Sequence, residues 1–113
     1  MSRITTHILD VSRGSPAGGV GVVLERSDAA GWTQLGRGAT DADGRLRNLM
    51  AEGDGLQPGV YRLTFDTGGY FRRLELQGFY PEVQVVFTVR DGQQHYHVPL
   101  LLSPFGYSTY RGS

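Results

Sequence analysis

The 113-residue sequence contains no cysteine and no lysine. Without cysteine, disulfide frameworks, thiolate zinc sites and a thiol nucleophile are excluded. Without lysine, every fixed side-chain cation is an arginine, and the eleven arginines are balanced by eleven aspartates and glutamates. Zero formal net charge and the lack of any long basic run remove the usual electrostatic warrant for binding nucleic acid or an anionic membrane. No apolar stretch approaches the roughly 18 to 20 residues needed to span a bilayer. Residues 1–10 lack the basic and apolar regions of a secretory signal, and the final Tyr-Arg-Gly-Ser is not a peroxisomal address. These absences lead to the expectation of a soluble, cytoplasmic protein. Nucleotide motifs are missing too. Gly36-Arg-Gly38 and Gly53-Asp-Gly55 lack the third glycine and the following helix of a dinucleotide fingerprint, and there is no nucleophile elbow or Walker loop.

What remains is glycine-rich, with 17 glycines, and β-patterned. Short runs of Val, Leu, Tyr, Phe and Thr alternate with turn signals, as in an all-β sandwich or barrel. The expected strands are 4–11, 20–26, 32–40, a short one from Arg45, 60–66, 83–90, 95–102 and 107–111, about eight in all. Val20, Val22 and Leu24 share one face, as do Tyr61, Leu63 and Phe65. Residues 12–19 read as a long turn and 51–59 as a loop. Residues 70–76 allow one or two helical turns. Asp41-Ala-Asp-Gly44 is a tight turn that delivers Arg45 onto a strand, and Asp91-Gly92 is a second hairpin signal. Pro99 inside a run suggests an edge strand or a bulge. One domain covering 1–113 is the natural reading. A chain this short buries roughly 65% of its unfolded surface, which supports one core but no deep private cavity. A site shared between subunits is one way around that limit.

Four groups of residues could carry chemistry. His95 and His97, at i and i+2 on a strand, point the same way with Tyr96 opposite. They could be solvated, or with His7 or a carboxylate they could form a zinc site. His7, on a face with Thr5, Leu9 and Val11, is either a hydrogen-bonded structural residue or a proton carrier. Arg45 is either a solvated rim residue or a clamp for an anion. The tail Tyr107-Ser-Thr-Tyr-Arg-Gly-Ser113 is a β-prone aromatic segment, either a last edge strand or a docking element.

The blocks Thr6-His-Ile-Leu-Asp10, Arg13-Gly-Ser-Pro-Ala17, Thr40-Asp-Ala-Asp-Gly-Arg45 and 95–113 (HYHVPLLLSPFGYSTYRGS) settle into one pattern. In that order, they resemble the transthyretin-like 5-hydroxyisourate hydrolases. The resemblance implies a transthyretin-type β-sandwich of two four-stranded sheets with one short helix. It implies a homotetramer, a dimer of dimers with sites at the dimer–dimer interface. It implies hydrolysis of 5-hydroxyisourate, the unstable product of urate oxidation, to 2-oxo-4-hydroxy-4-carboxy-5-ureidoimidazoline, on the way to allantoin, with no metal or organic cofactor. The family's catalytic positions fall on His7, Arg45 and His97, and its further substrate-binding positions on Tyr110 and Ser113. Transthyretin, the hormone carrier of the same superfamily, lacks the histidine pair and the Tyr-Arg-Gly-Ser end. A non-catalytic binding module and a three-histidine metal hydrolase remain as rival readings, and no role falls to His95.

Overall fold

The computed structural model describes residues 2–50 and 55–113. Among the described residues nine strands and one helix follow in order: β1 Ile4–Asp10, β2 Ser15–Pro16, β3 Gly21–Asp28, β4 Gly31–Ala39, β5 Arg45–Leu46, β6 Gly59–Phe65, α1 Thr67–Arg73, β7 Val83–Val89, β8 Tyr96–Ser103 and β9 Gly106–Thr109. They form two sheets. One runs β4-β3-β6-β7; the other runs β2-β1-β8-β9, with β5 also paired to β1. The second sheet therefore has five members rather than four, because the two residues Ser15 and Pro16 pair with Asp10 and Leu9 inside the segment expected as turn. Of the expected loop 51–59, residues 51–54 lie outside the described residues.

Period-two alternation places the core. Val22 and Leu24 of β3 and Tyr61, Leu63 and Phe65 of β6 turn inward and are buried. Ile4 and Ile8 of β1 and Val98, Leu100 and Leu102 of β8 meet them from the other sheet. The even positions of β1 thus build the core, and the odd positions, Thr5, His7 and Leu9, face outward.

The helix begins earlier than the sequence pattern suggests. Asp66 caps it, its Oδ1 accepting from the Gly69 N–H at 3.0 Å. Gly68 and Gly69 are poor helix formers and hide the start. A Cβ at 69 would lie 2.4 Å from Asp66 Oδ2, so any larger residue there would displace the capping carboxylate. The helix ties to β1 through the Tyr70 hydroxyl, which donates to Oδ2 of the fully buried Asp10 at 2.7 Å. Burial, then that carboxylate, push the Tyr70 phenol up from its ordinary value.

Pro99 does not mark an edge or a bulge. β8 is internal, with β1 on one side and β9 on the other. The β9 ladder lapses at the proline, which has no N–H to give, and resumes with an isolated pair, His97↔Gly112, in the register set by Leu100↔Thr109. The Thr109 hydroxyl donates to the Pro99 carbonyl at 2.6 Å and fills the gap.

Candidate functional site

The site is built on the outer face of β1, β5 and β8. β1 and β8 run parallel, with Thr5 opposite His97, and β5 pairs antiparallel with β1, with His7 opposite Arg45. Paired residues project to the same side of a sheet, so Thr5, His7, Arg45 and His97 share one face.

The turn before β5 delivers two of these groups. Asp41 Oδ1 accepts from the N–H groups of Asp43 at 2.9 Å and Arg45 at 3.0 Å, and the Gly44 N–H donates to the Asp41 carbonyl at 2.9 Å. Those hydrogen bonds, with the Arg45 amide first, hold the Asp41 carboxyl below its usual range. Gly44 has φ 75°, and a Cβ there would lie 2.4 Å from the Ile8 carbonyl oxygen, so glycine is required on two counts. The docked turn points the Asp43 carbonyl at His7, whose Nε2 donates to it at 3.0 Å. A carbonyl can only accept, so Nε2 carries a proton, and the tautomer this bond selects has its lone pair on Nδ1.

His95 and His97 stand on one side of their strand, as their spacing predicts. Their rings stack at 6.4 Å with 15° between planes. Between them lies a residue that sequence reasoning passed over. The hydroxyl of Thr5 is 2.8 Å from His97 Nδ1 and 3.0 Å from His95 Nε2. Thr5 reads in the sequence as an ordinary β-branched residue on the His7 face. Only the parallel pairing of strands 92 positions apart brings it to the histidines.

The tail closes the other side of His97. Arg111 lies over the Tyr96 ring, 4.4 Å from its centroid, and its Nη2 donates to Gln94 Oε1 at 2.9 Å. The Gly112 N–H then donates to the His97 carbonyl at 2.7 Å. A Cβ at 112 would come within 2.7 Å of His97 Cδ2, so this position needs a hydrogen there for the tail to lie against the imidazole. Ser113 is thereby brought to a cavity of about 250 Å³ lined also by Thr5, Arg45, Arg47, His95 and His97. Arg45 and Arg47 also border a neighbouring hollow of about 450 Å³ that extends to Asp41, Asn48 and Met50. Arg47, two positions beyond Arg45 on the chain, is a second cation that the sequence pattern did not single out.

The cavity thus gathers Arg45, His97 and Ser113. His7 is the cross-strand neighbour of Arg45 but is not part of the cavity wall. Tyr110 is exposed and borders a separate groove of about 300 Å³, with Val86, Tyr96 and Thr109 among its neighbours, so within one chain it is not brought to the histidines. The three histidines do not converge, and no trio of His, Asp or Glu able to hold a metal ion occurs among the described residues.

Electrostatics distinguish His97 from the other imidazoles. Burial, then the positive charge of Arg45, hold its pKa below the ordinary 6.5. The ring is therefore neutral at pH 7. Its Nε2 has no hydrogen-bond partner among the described residues, and no buried side-chain nitrogen there lacks one, so this atom is open to solvent. A neutral imidazole with one nitrogen held and the other open, beside a guanidinium, can accept a proton from water and leave the arginine to meet a developing negative charge.

A sandwich of this topology with that outer-face cluster defines a transthyretin-like protein. The chain belongs to the HIUase/Transthyretin family, whose model matches residues 4–112. It is 53% identical to the 5-hydroxyisourate hydrolase of Salmonella dublin over 110 residues, 97% of this chain and 80% of that one. Its fold is similar to that of Klebsiella pneumoniae 5-hydroxyisourate hydrolase, with a TM-score of 0.84 at 39% identity, covering 97% of this chain and 92% of that one. It is similar also to sea bream transthyretin in complex with thyroxine, with a TM-score of 0.90 at 39% identity, covering 98% and 95%. Among the described residues no helix is long and apolar enough to cross a membrane.

Proposed function

We propose that this protein hydrolyses 5-hydroxyisourate in urate degradation and that His97, Arg45 and His7 carry the reaction. The observation that supports this reading most directly is the meeting of a neutral, half-buried imidazole and a guanidinium in one 250 Å³ cavity. Water at His97 Nε2 gives up a proton to that nitrogen as its oxygen bonds to the lactam carbonyl carbon. The carbonyl electrons move onto oxygen, and Arg45 stabilises the oxyanion with its planar fork of donors. The oxyanion collapses, the C–N bond breaks, and the ring nitrogen takes the proton back from His97. The product is 2-oxo-4-hydroxy-4-carboxy-5-ureidoimidazoline. His7, fixed by the Asp43 carbonyl, offers Nδ1 to orient the water. Ser113 binds substrate from the far side of the cavity.

A homotetramer, a dimer of dimers, belongs to the same reading. β7 ends one sheet and β9 ends the other, and exposed Val86, Tyr107 and Tyr110 lie on or beside these two edge strands. Edge strands with exposed apolar side chains favour pairing with another chain. Tyr110 then reaches substrate through assembly rather than within its own chain. A cytoplasmic location, checked by cell fractionation, completes the proposal.

One assay tests the activity. 5-Hydroxyisourate is generated by urate oxidase and its ultraviolet decay followed with protein, with protein plus chelator, and without protein. Accelerated decay that chelator leaves intact supports the reading. Decay at the spontaneous rate rejects it, and chelator-sensitive decay favours a metal hydrolase. Light scattering at four chain masses is the expected oligomeric result.

A further inference from the structure

The Thr5 hydroxyl is buried, and both of its close polar neighbours are imidazole nitrogens. A hydroxyl has one proton to donate. Thr5 can give that proton to His95 or to His97, but not to both, so the hydroxyl forces a choice of tautomer on the pair. If it donated to His97 Nδ1, the proton of neutral His97 would sit on Nε2 and point into the cavity. If it donates to His95 Nε2, it accepts from His97 Nδ1–H, and the lone pair of His97 sits on Nε2.

From this geometry we infer that Thr5 and His95 are positioning residues that hold His97 in the Nδ1–H tautomer, with its Nε2 lone pair aimed into the cavity. The electrostatics of the cavity favour this arrangement. Arg45 and Arg47 line it, and their positive potential is better met by a lone pair than by an N–H dipole. His95 is exposed, so its ring accepts the threonine proton while its other nitrogen stays in water. The stacking of the two rings, 15° from parallel, lets one small hydroxyl reach both. An ordinary solvated histidine pair needs no buried hydroxyl between its members. His95, so far without a role, orients Thr5, and Thr5 orients His97.

The inference rests on His97 being the base, and its test keeps the two ideas apart. The ring nitrogens of His97 are read by 15N NMR in the full-length protein, alongside hydroxyisourate kinetics. Wild type is expected to show Nδ1 protonated and Nε2 bare. Thr5→Val is close in shape and suits a strand. It is expected to lose that pattern and to lower kcat by about 10- to 100-fold with KM little changed, by analogy with the loss when the partner that orients a metal-ligating imidazole is removed. Thr5→Ser keeps the hydroxyl and is expected to restore both readouts to within about threefold of wild type. His95→Phe removes the acceptor and is expected to populate the other tautomer, with a smaller loss in kcat. A wild-type His97 protonated on Nε2, or a Thr5→Val protein whose nitrogens match wild type, overturns the assignment whatever the kinetics. A changed nitrogen pattern with unchanged kcat upholds the tautomer assignment and instead removes His97 from the chemistry.

Discussion

The two faces of the β1–β8 pair do opposite work on one backbone. On the inner face Ile4, Ile8, Val98 and Leu100 are buried in the sandwich core. On the outer face Thr5 and His97 are hydrogen-bonded to each other and line the cavity, and His7 is held by the Asp43 carbonyl. The same register fixes both sets. Strand alternation therefore separates stability from chemistry by a single residue step, and changes on one face should leave the readout of the other nearly untouched.

That separation can be broken or sharpened in four ways. The largest effect is expected on the outer face. His97→Asn removes the proton acceptor, and kcat/KM for hydroxyisourate should fall by about 10²- to 10⁴-fold while the melting temperature stays close to wild type. A matching fall in melting temperature would show that the faces are not independent. On the inner face, Leu100→Ala should cost about 2–5 kcal/mol in denaturant unfolding, with the per-molecule activity of the folded fraction preserved. Gly112→Ala probes the seam between the faces. Its Cβ would press on His97 Cδ2, so the tail must shift, and a loss of about 10- to 100-fold in kcat/KM is expected with little change in unfolding free energy. The smallest effect concerns pH. The native ring of His97 resists protonation, chiefly through burial and then through Arg45, so its pKa lies below that of the unfolded chain. The unfolded state takes up this proton first as pH falls through about 6.5. Stability from this group is therefore full above that pH, declines down to the native pKa, and then levels off. The acid limb of kcat/KM should lie below pH 6.5, and His97→Asn should flatten this part of the stability profile. An acid limb above pH 6.5 would contradict the buried, cation-flanked setting.

The inner face was largely legible in the sequence. Two-residue periodicity in Val20-Gly-Val22-Val-Leu24 and in Tyr61-Arg-Leu63-Thr-Phe65 is a local signal, and the side chains it assigns inward are buried. The Asp-Gly turn that carries Arg45 was legible for the same reason, because only a few residues tolerate its backbone. Features that depend on distant pairing were not. Nothing near Thr5 tells that β1 will lie parallel to β8, so its hydroxyl passed as strand filling. Pro99 suggested an edge because local chemistry cannot show that its missing N–H falls at a lapse in the β9 ladder. Tyr110 was grouped with the histidines by resemblance, whereas within one chain it borders a different groove. Ser15 and Pro16 looked like turn because two residues are too few to show alternation.

The parallel pairing of β1 with β8 also has a consequence in time. Its partners are separated by most of the chain, with Thr5 and His97 92 positions apart. The β3–β4 hairpin can close soon after its residues leave the ribosome. β1, of sequence ITTHILD, can meet β2 and β5 early, but the edge that β8 takes must wait until β8 has been made. Such long-range closure is slow, and a waiting strand with free backbone groups is open to capture by other chains. Catalytic competence should therefore be among the last properties acquired during synthesis, and β1 is the strand most in need of protection until then.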